Sequence, residues 1–191
     1  MLNCNYTDNT VYNFYNKCSV CNDKINTLGV FPSNKIEKAL SSIDATNKWT
    51  EFFIPEIVDV PVQKPDIEDV LEVHSGITII SQRVVKTPIV TGLTNGQNVS
   101  NSECTNLTGR KLVIEGLLKQ KVIYTANVEN QAIHSANFIF PFSTFIIIEG
   151  NTPLSQKFKI TPYIEDIFAC RLSERSVFKN TTIFIKASRI C

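Results

Sequence analysis

From Leu112 to Tyr124 the dry residues fall on every second position: Leu112, Ile114, Gly116, Leu118, Gln120, Val122 and Tyr124. Glu115, Lys119 and Lys121 occupy the other face. A period of two sustained over this length dictates a strand with one buried and one wet side, because successive side chains of a pleated chain point to opposite faces. Such a strand cannot stand alone, so it commits its neighbours to a sheet. Gly116, on the dry side, marks a bulge or a close approach of another group.

The rest of the chain supplies those neighbours. Isoleucine occurs 23 times and phenylalanine 12 times, whereas glycine occurs only 7 times. Residues 49–60 read as a strand interrupted at Pro55 and ended at Pro61, and residues 77–90 as another. After a short turn near Asn127–Asn130, the stretch 132–148 reads as a strand broken by Pro141. Two further runs, 157–171 and 177–188, flank the polar Ser173-Glu174-Arg175. In the last, Val177, Thr181, Ile183, Ile185 and Ala187 are set against Lys179, Thr182 and Lys186, which read as its wet side. One short helix fits residues 34–43, with Asn34 as cap, Glu37 three residues on, and Ile36, Ala39, Leu40 and Ile43 on one face. Pro65 to Leu71 is ambiguous, since Pro followed by Asp66, Glu68 and Asp69 also suits one or two helical turns. Residues 91–110, rich in Thr, Asn, Gly and Ser, read as a long loop. The expected architecture is all-β: an antiparallel β-sandwich or jelly-roll-like domain over residues 31–191, preceded by an N-terminal arm over residues 1–30.

Several function classes fall away. The chain has 19 Lys plus Arg against 18 Asp plus Glu. A balance so near neutral gives no electrostatic case for nucleic acid or an anionic membrane. No apolar run exceeds four residues, too short for a membrane-spanning helix, and the first residues lack a basic start and an apolar stretch, so neither membrane insertion nor a secretory signal is expected. No phosphate-cradling glycine loop and no Gly-x-Ser-x-Gly elbow occurs. His74 and His134 lie far apart in probable strands without a third ligand at compact spacing. The acids Asp66, Glu68, Asp69 and Glu72 lack the glycine and alternating oxygens of a calcium loop, and read as a solvated turn. No catalytic residue, cofactor or metal site is expected, and the protein is read as a non-enzyme. Asn5, Asn98, Asn106 and Asn180 head glycosylation triplets, which read as accidents of an Asn- and Thr-rich chain.

The six cysteines are the sharper signal. Cys4, Cys18 and Cys21 lie in the arm, where eight of the first 34 residues are Asn, and Cys104, Cys170 and Cys191 are scattered beyond it. Cys18-Ser19-Val20-Cys21 has a spacing compatible with zinc, thiol exchange or crosslinking; the second pair zinc wants is missing, and the βαβ context of a redox motif is absent. Cysteines near chain ends are poorly placed to staple a core and well placed to reach a neighbour. All six are therefore candidates for intermolecular disulfides. Within the arm, Val11, Tyr12, Phe14 and Tyr15 form the segment able to add as a strand to an exposed sheet edge next door, a head-to-tail contact that builds a fibre or lattice.

The segment Gln131-Ala132-Ile133-His134-Ser135-Ala136-Asn137-Phe138-Ile139-Phe140-Pro141-Phe142-Ser143-Thr144-Phe145 closely resembles the signature of the SPOCS domain of spore-coat morphogenesis proteins from anaerobic spore-forming bacteria. Three further stretches resemble the family: Ile54-Pro55-Glu56 through Lys64-Pro65-Asp66-Ile67-Glu68, then Leu112-Val113-Ile114-Glu115-Gly116 before Val122-Ile123-Tyr124, and Glu174-Arg175-Ser176-Val177-Phe178-Lys179-Asn180-Thr181-Thr182-Ile183-Phe184. The resemblance spans about residues 50–188 and implies a β-rich, non-enzymatic module of spore assembly. It also reconciles many cysteines with no export signal: a protein made in the mother-cell cytoplasm and exposed on the spore surface (coat, exosporium or appendage) folds reduced and is bridged later. The expected partners are further copies of itself and other coat proteins. The alternative is a monomeric adaptor that binds another coat protein or a glycan.

Overall fold

A computed structural model of the chain describes residues 25–41, 47–89 and 107–190. In chain order the elements are β1 (Asn26–Leu28), α1 (Ser33–Ser41), β2 (Asn47–Asp59), β3 (Ile67–Ile89), β4 (Thr108–Ala126), β5 (Ile133–Ile147), β6 (Phe158–Arg171) and β7 (Ser176–Arg189). They form a four-stranded sheet of order β1-β3-β4-β5 and a three-stranded sheet of order β2-β7-β6. The expected all-β sandwich is the observed one. All pairings are antiparallel except the three-residue contact of β1 with β3, which is parallel.

The alternation of β4 has the expected consequence. Leu112, Ile114, Leu118, Gln120, Val122 and Tyr124 are buried, and Lys119 and Lys121 are exposed. β4 pairs with a strand on each side, and so does β7. Their dry faces meet across the sandwich, where Val177, Lys179, Thr181, Ile183, Ile185 and Ala187 of β7 are all buried. Gly116 belongs to this face and combines both expected roles. A Cβ there would stand 2.9 Å from the carbonyl oxygen of Thr78 and 2.5 Å from the Phe142 ring. Opposite it, β3 carries a bulge between Ile79 and Ser81.

The structure bears on three of these readings. Residues 65–71 are not helical; β3 begins at Ile67. Bulges between Ile67 and Asp69 and between Val70 and Glu72 place Ile67, Val70 and Val73 on the core side. Two extra residues thus give a strand a spacing of three, which imitates the period of a helix. The prolines do not interrupt their strands: β2 runs through Pro55 and β5 through Pro141, and β6 likewise contains Pro162. Each of these strands has a sheet neighbour on one side only, so a missing N–H is tolerated. Finally, the arm expected over residues 1–30 does not reach 30. β1 pairs with β3, Ile25 and Val30 pack on the core, and the Phe31 N–H donates to the Ile164 carbonyl at 2.9 Å. Gly29 makes this docking possible, with φ +103° and the Ser75 carbonyl oxygen 2.0 Å from where a Cβ would be.

Helix α1 covers part of the outer face of the three-stranded sheet. Ile36 and Ala39 form a cluster with Phe184, flanked by Phe31 and Tyr163. Leu40, expected on the same face, is exposed, and Asn34 lies within the first turn, since the helix starts at Ser33.

One long side of the sandwich is closed by hydrogen bonds. Gln82 of β3 treats β6 as a neighbouring strand would: its Nε2 donates to the Phe158 carbonyl at 2.6 Å and its Oε1 accepts the Phe158 N–H at 3.0 Å. Arg171 donates to the Ile67 carbonyl at 3.0 Å. One end of the sandwich is held by Arg175. Its guanidinium donates to the carbonyls of Val60 (2.9 Å), Pro61 (2.8 Å) and Lys64 (3.3 Å), and to the Asp66 carboxylate.

These contacts set two expected outcomes. Gln82→Leu leaves both backbone groups of Phe158 without that partner and should lower stability by about 2 kcal/mol. Arg175→Lys keeps the charge but loses the fork that reaches several acceptors, and should cost about 2 kcal/mol. Urea midpoints at constant slope measure both; midpoints within error of the parent would contradict these roles.

Candidate functional site

The sequence placed its candidate residues mainly where the structure describes nothing. Cys4, Cys18, Cys21, Cys104 and Cys191, and the strand-addition candidates Val11, Tyr12, Phe14 and Tyr15, all lie outside the described residues. Cys170 is described. It sits on β6 at 1% exposure and is disulfide-bonded. A buried, bonded sulfur is not presented to a neighbouring copy, so Cys170 is not carried forward as an intermolecular link. His74 and His134 are on β3 and β5, on either side of β4. His74 contacts the Glu72 carboxylate at 2.8 Å, and His134 stacks on Tyr124. The acids near residue 66 do not converge: Asp66 meets Arg175, Glu68 accepts from Gln131 at 2.8 Å, and Glu72 meets His74.

The side of the sandwich opposite Gln82 has a different character. There β2 and β5 end their sheets. Among the described residues no backbone hydrogen bond joins them. Their contacts include the Phe52 and Phe142 rings, 5.5 Å apart, and, beyond the end of β5, a Lys48–Glu149 ion pair at 2.7 Å. β2 is 13 residues long and β5 is 15. Both carry apolar side chains into solvent: Trp49, Phe53 and Ile57 on β2, and Ile133, Ile139 and Phe145 on β5. Phe53 is 61% exposed and Ile139 60%. Long edge strands with apolar flanks are templates for another strand unless something covers them.

The outer face of the four-stranded sheet holds a shallow depression of about 370 Å³. In register, His74, Lys121 and Asn137 form one cross-strand row and Gly76, Lys119 and Ile139 the next. Gly76 forms its floor, since a Cβ there would meet nothing within 4 Å.

Sequence reading missed the most unusual group in the molecule. Lys179 does not lie on the wet side of β7. It shares parity with Val177 and Thr181, points into the sandwich, and is 0% exposed. Its Nζ donates to Gln120 Oε1, lies 3.5 Å from Glu56 Oε2, and stands 4.5 Å from the Phe140 ring centre and 5.4 Å from that of Phe138. The Gln120 Nε2 in turn donates to Ser75 Oγ and Thr181 Oγ1, each at 2.9 Å. This polar layer divides two apolar clusters, one around Val73, Tyr124 and Val177 and the other around Leu112, Ile114 and Ile183. The signal was present in the chain, because 177, 179 and 181 are all odd.

Burial pushes the Lys179 ammonium down to about 8, against the opposing pull of Glu56. Burial also raises Glu56 above the ordinary carboxylate range, partly offset by Lys179. Both shifts favour neutral partners. For the lysine as a free amine, the folded state holds fewer protons than the unfolded chain between about 8 and 10.5. Stability then rises with pH across that window. Comparing urea midpoints at the two ends of the window should show this rise in any form with a free Lys179 amine, and Lys179→Met should remove it; an equal rise in Lys179→Met would assign it elsewhere.

With this geometry established, comparison with known proteins finds a family match. The family model described as SipL, SPOCS domain covers residues 66–171, the chain from β3 through β6. That is more than half of the sequence, and the chain belongs to this family. Membership makes it a spore-associated protein with a coat-related role. No curated protein and no solved structure matches the chain. Among the described residues no helix is long and apolar enough to cross a membrane.

Proposed function

We propose that the protein is a structural, self-assembling subunit of a bacterial spore-surface layer or appendage. Each copy adds the strand-forming segment around Val11, Tyr12, Phe14 and Tyr15 to the β2/β5 side of the next. Disulfides between neighbouring copies, formed by those of Cys4, Cys18, Cys21, Cys104 and Cys191 that are free to do so, then lock the array. In this reading the protein is not an enzyme, needs no cofactor, and has copies of itself and other coat proteins as partners. It is made in the mother-cell cytoplasm and ends on the spore surface.

The observation that carries the reading is the contrast between the two long sides of the sandwich. The β3/β6 side is bridged by Gln82 and Arg171, while the β2/β5 side presents two long edge strands flanked by exposed Phe53, Ile57 and Ile139. An extended segment added to either edge satisfies backbone groups and covers the apolar flank of that strand, Phe53 and Ile57 beside β2 or Ile139 beside β5. A head-to-tail join of this kind does not close on itself, so it propagates.

The second reading, a monomeric adaptor, is favoured by the depression over Gly76. Its rim of Lys119, Lys121 and His74 suits an acidic group on a coat protein or a glycan.

Light scattering and electron microscopy of the purified chain separate the two. Self-assembly predicts polymers that disappear on deletion of residues 1–22, and a ladder on denaturing gels that collapses with reductant. A monodisperse monomer with a saturable partner would support the adaptor instead. Polymers that persist after the deletion would remove the arm as connector.

A further inference from the structure

The polar layer between the sheets holds the parts of a chemical reaction. An amine and a carboxamide meet out of reach of water, with a carboxylic acid beside the amine at the margin of the space. Lys179 and Gln120 are 0% and 3% exposed, and the Glu56 side chain 13%. The lysine nitrogen contacts the carbonyl oxygen of the carboxamide, one bond from the carbon an amine attacks. The Phe138 and Phe140 rings fill the space beside it. As a mere ion pair the arrangement is poor. The carboxylate is 3.5 Å away, so a fully buried ammonium would lean on the Gln120 oxygen and the Phe138 and Phe140 rings as much as on its counter-ion. As a reacting pair it is well formed, because desolvation makes the amine a nucleophile and fixed proximity replaces a bimolecular encounter.

We propose that Lys179 and Gln120 join in an intramolecular amide bond that ties β7 of one sheet to β4 of the other, with Glu56 as the proton relay. Glu56 takes the proton that leaves the Lys179 ammonium. The neutral amine attacks Gln120 Cδ, forming the new C–N bond; the proton held by Glu56 goes to the departing nitrogen, and Glu56 then takes the surplus proton left on the Lys179 nitrogen, ending neutral. The Cδ–Nε2 bond breaks and ammonia leaves. Amine plus carboxamide gives amide plus ammonia, so no oxidant, reductant or activating group is required. Glu56, the most exposed member of the trio, lies where ammonia can escape. Product ammonia is lost to solvent, and the dry site keeps water from the new bond.

Thr181 is the competing nucleophile, because its Oγ1 accepts from Gln120 Nε2 at 2.9 Å. Among the described residues no general base is hydrogen-bonded to that hydroxyl, and an unactivated hydroxyl is a weaker nucleophile than a neutral amine, so the bond goes to Lys179. The inference is independent of self-assembly, since the bond lies inside one chain.

The test is the mass of the intact, reduced and denatured full chain. It should be lighter than the sequence requires by one ammonia. Trypsin should fail after Lys179 and yield a Ser176–Lys186 peptide carrying Gln120-Lys121, stable to reductant and to hydroxylamine. Glu56→Gln and Gln120→Leu should each return the mass their sequence requires. The pH-dependent rise in stability of the free amine should then be seen in Glu56→Gln and be missing from the parent chain. A parent chain at full sequence mass overturns the proposal whether or not any variant folds. A hydroxylamine-labile link mapped to Thr181 also overturns it, and complete crosslinking in Glu56→Gln overturns the relay.

Discussion

Everything else in the molecule depends on the seam between β4 and β7. Each is flanked by strands on both sides in its own sheet, and their inward side chains are all buried against the opposite layer. Most of the seam is apolar and gains its stability by removing Ile, Val and Leu from water. Its middle is not. Gln120, Lys179, Thr181 and Ser75 sit where two apolar clusters would otherwise merge. A buried polar layer stabilises only in its own register, since a slip of two residues, one step along the same face, would bring its groups against apolar neighbours. The layer therefore fixes how one sheet lies on the other.

Around that seam the two long sides are treated unequally. The side chain of Gln82 stands in for a missing strand on one side, and β1 with Gly29 packs against the same sheet edge. On the other side the contacts of β2 with β5 include one pair of phenylalanine rings. Pro55 and Pro141 lie within these two edges and limit, without abolishing, their capacity to accept another strand. The asymmetry gives the body a direction, which head-to-tail assembly requires. A family role in the spore coat is consistent with a body of this kind.

The strands were largely legible because alternation survives wherever one face is wet, as in β4. The errors have physical causes. Pro65 to Leu71 is ambiguous because a proline followed by acids suits a first helical turn as well as the approach to a strand, and the bulges that make it strand are set by pairing with β4. Proline read as a breaker because sequence does not say which strands are edges, and Pro55, Pro141 and Pro162 all proved to be on them. Lys179 was assigned to solvent by its charge, although its position in the alternation placed it inside. A lysine at a core position is rare, and its partners come from β2 and β4, more than fifty residues away in the chain. No local pattern joins Glu56, Gln120 and Lys179. The stretches that resembled the family were also spatially coupled, as Asp66 from one meets Arg175 from another.

The central claim is that copies join along the side of the sandwich bounded by β2 and β5. Hydrogen exchange, compared between assembled and dispersed protein, tests it most directly. The account predicts that protection on assembly appears in β2 and β5, with the β3/β6 side unchanged. Protection that appears instead on α1 or around Gln82, with β2 and β5 exchanging as they do in the monomer, would contradict it.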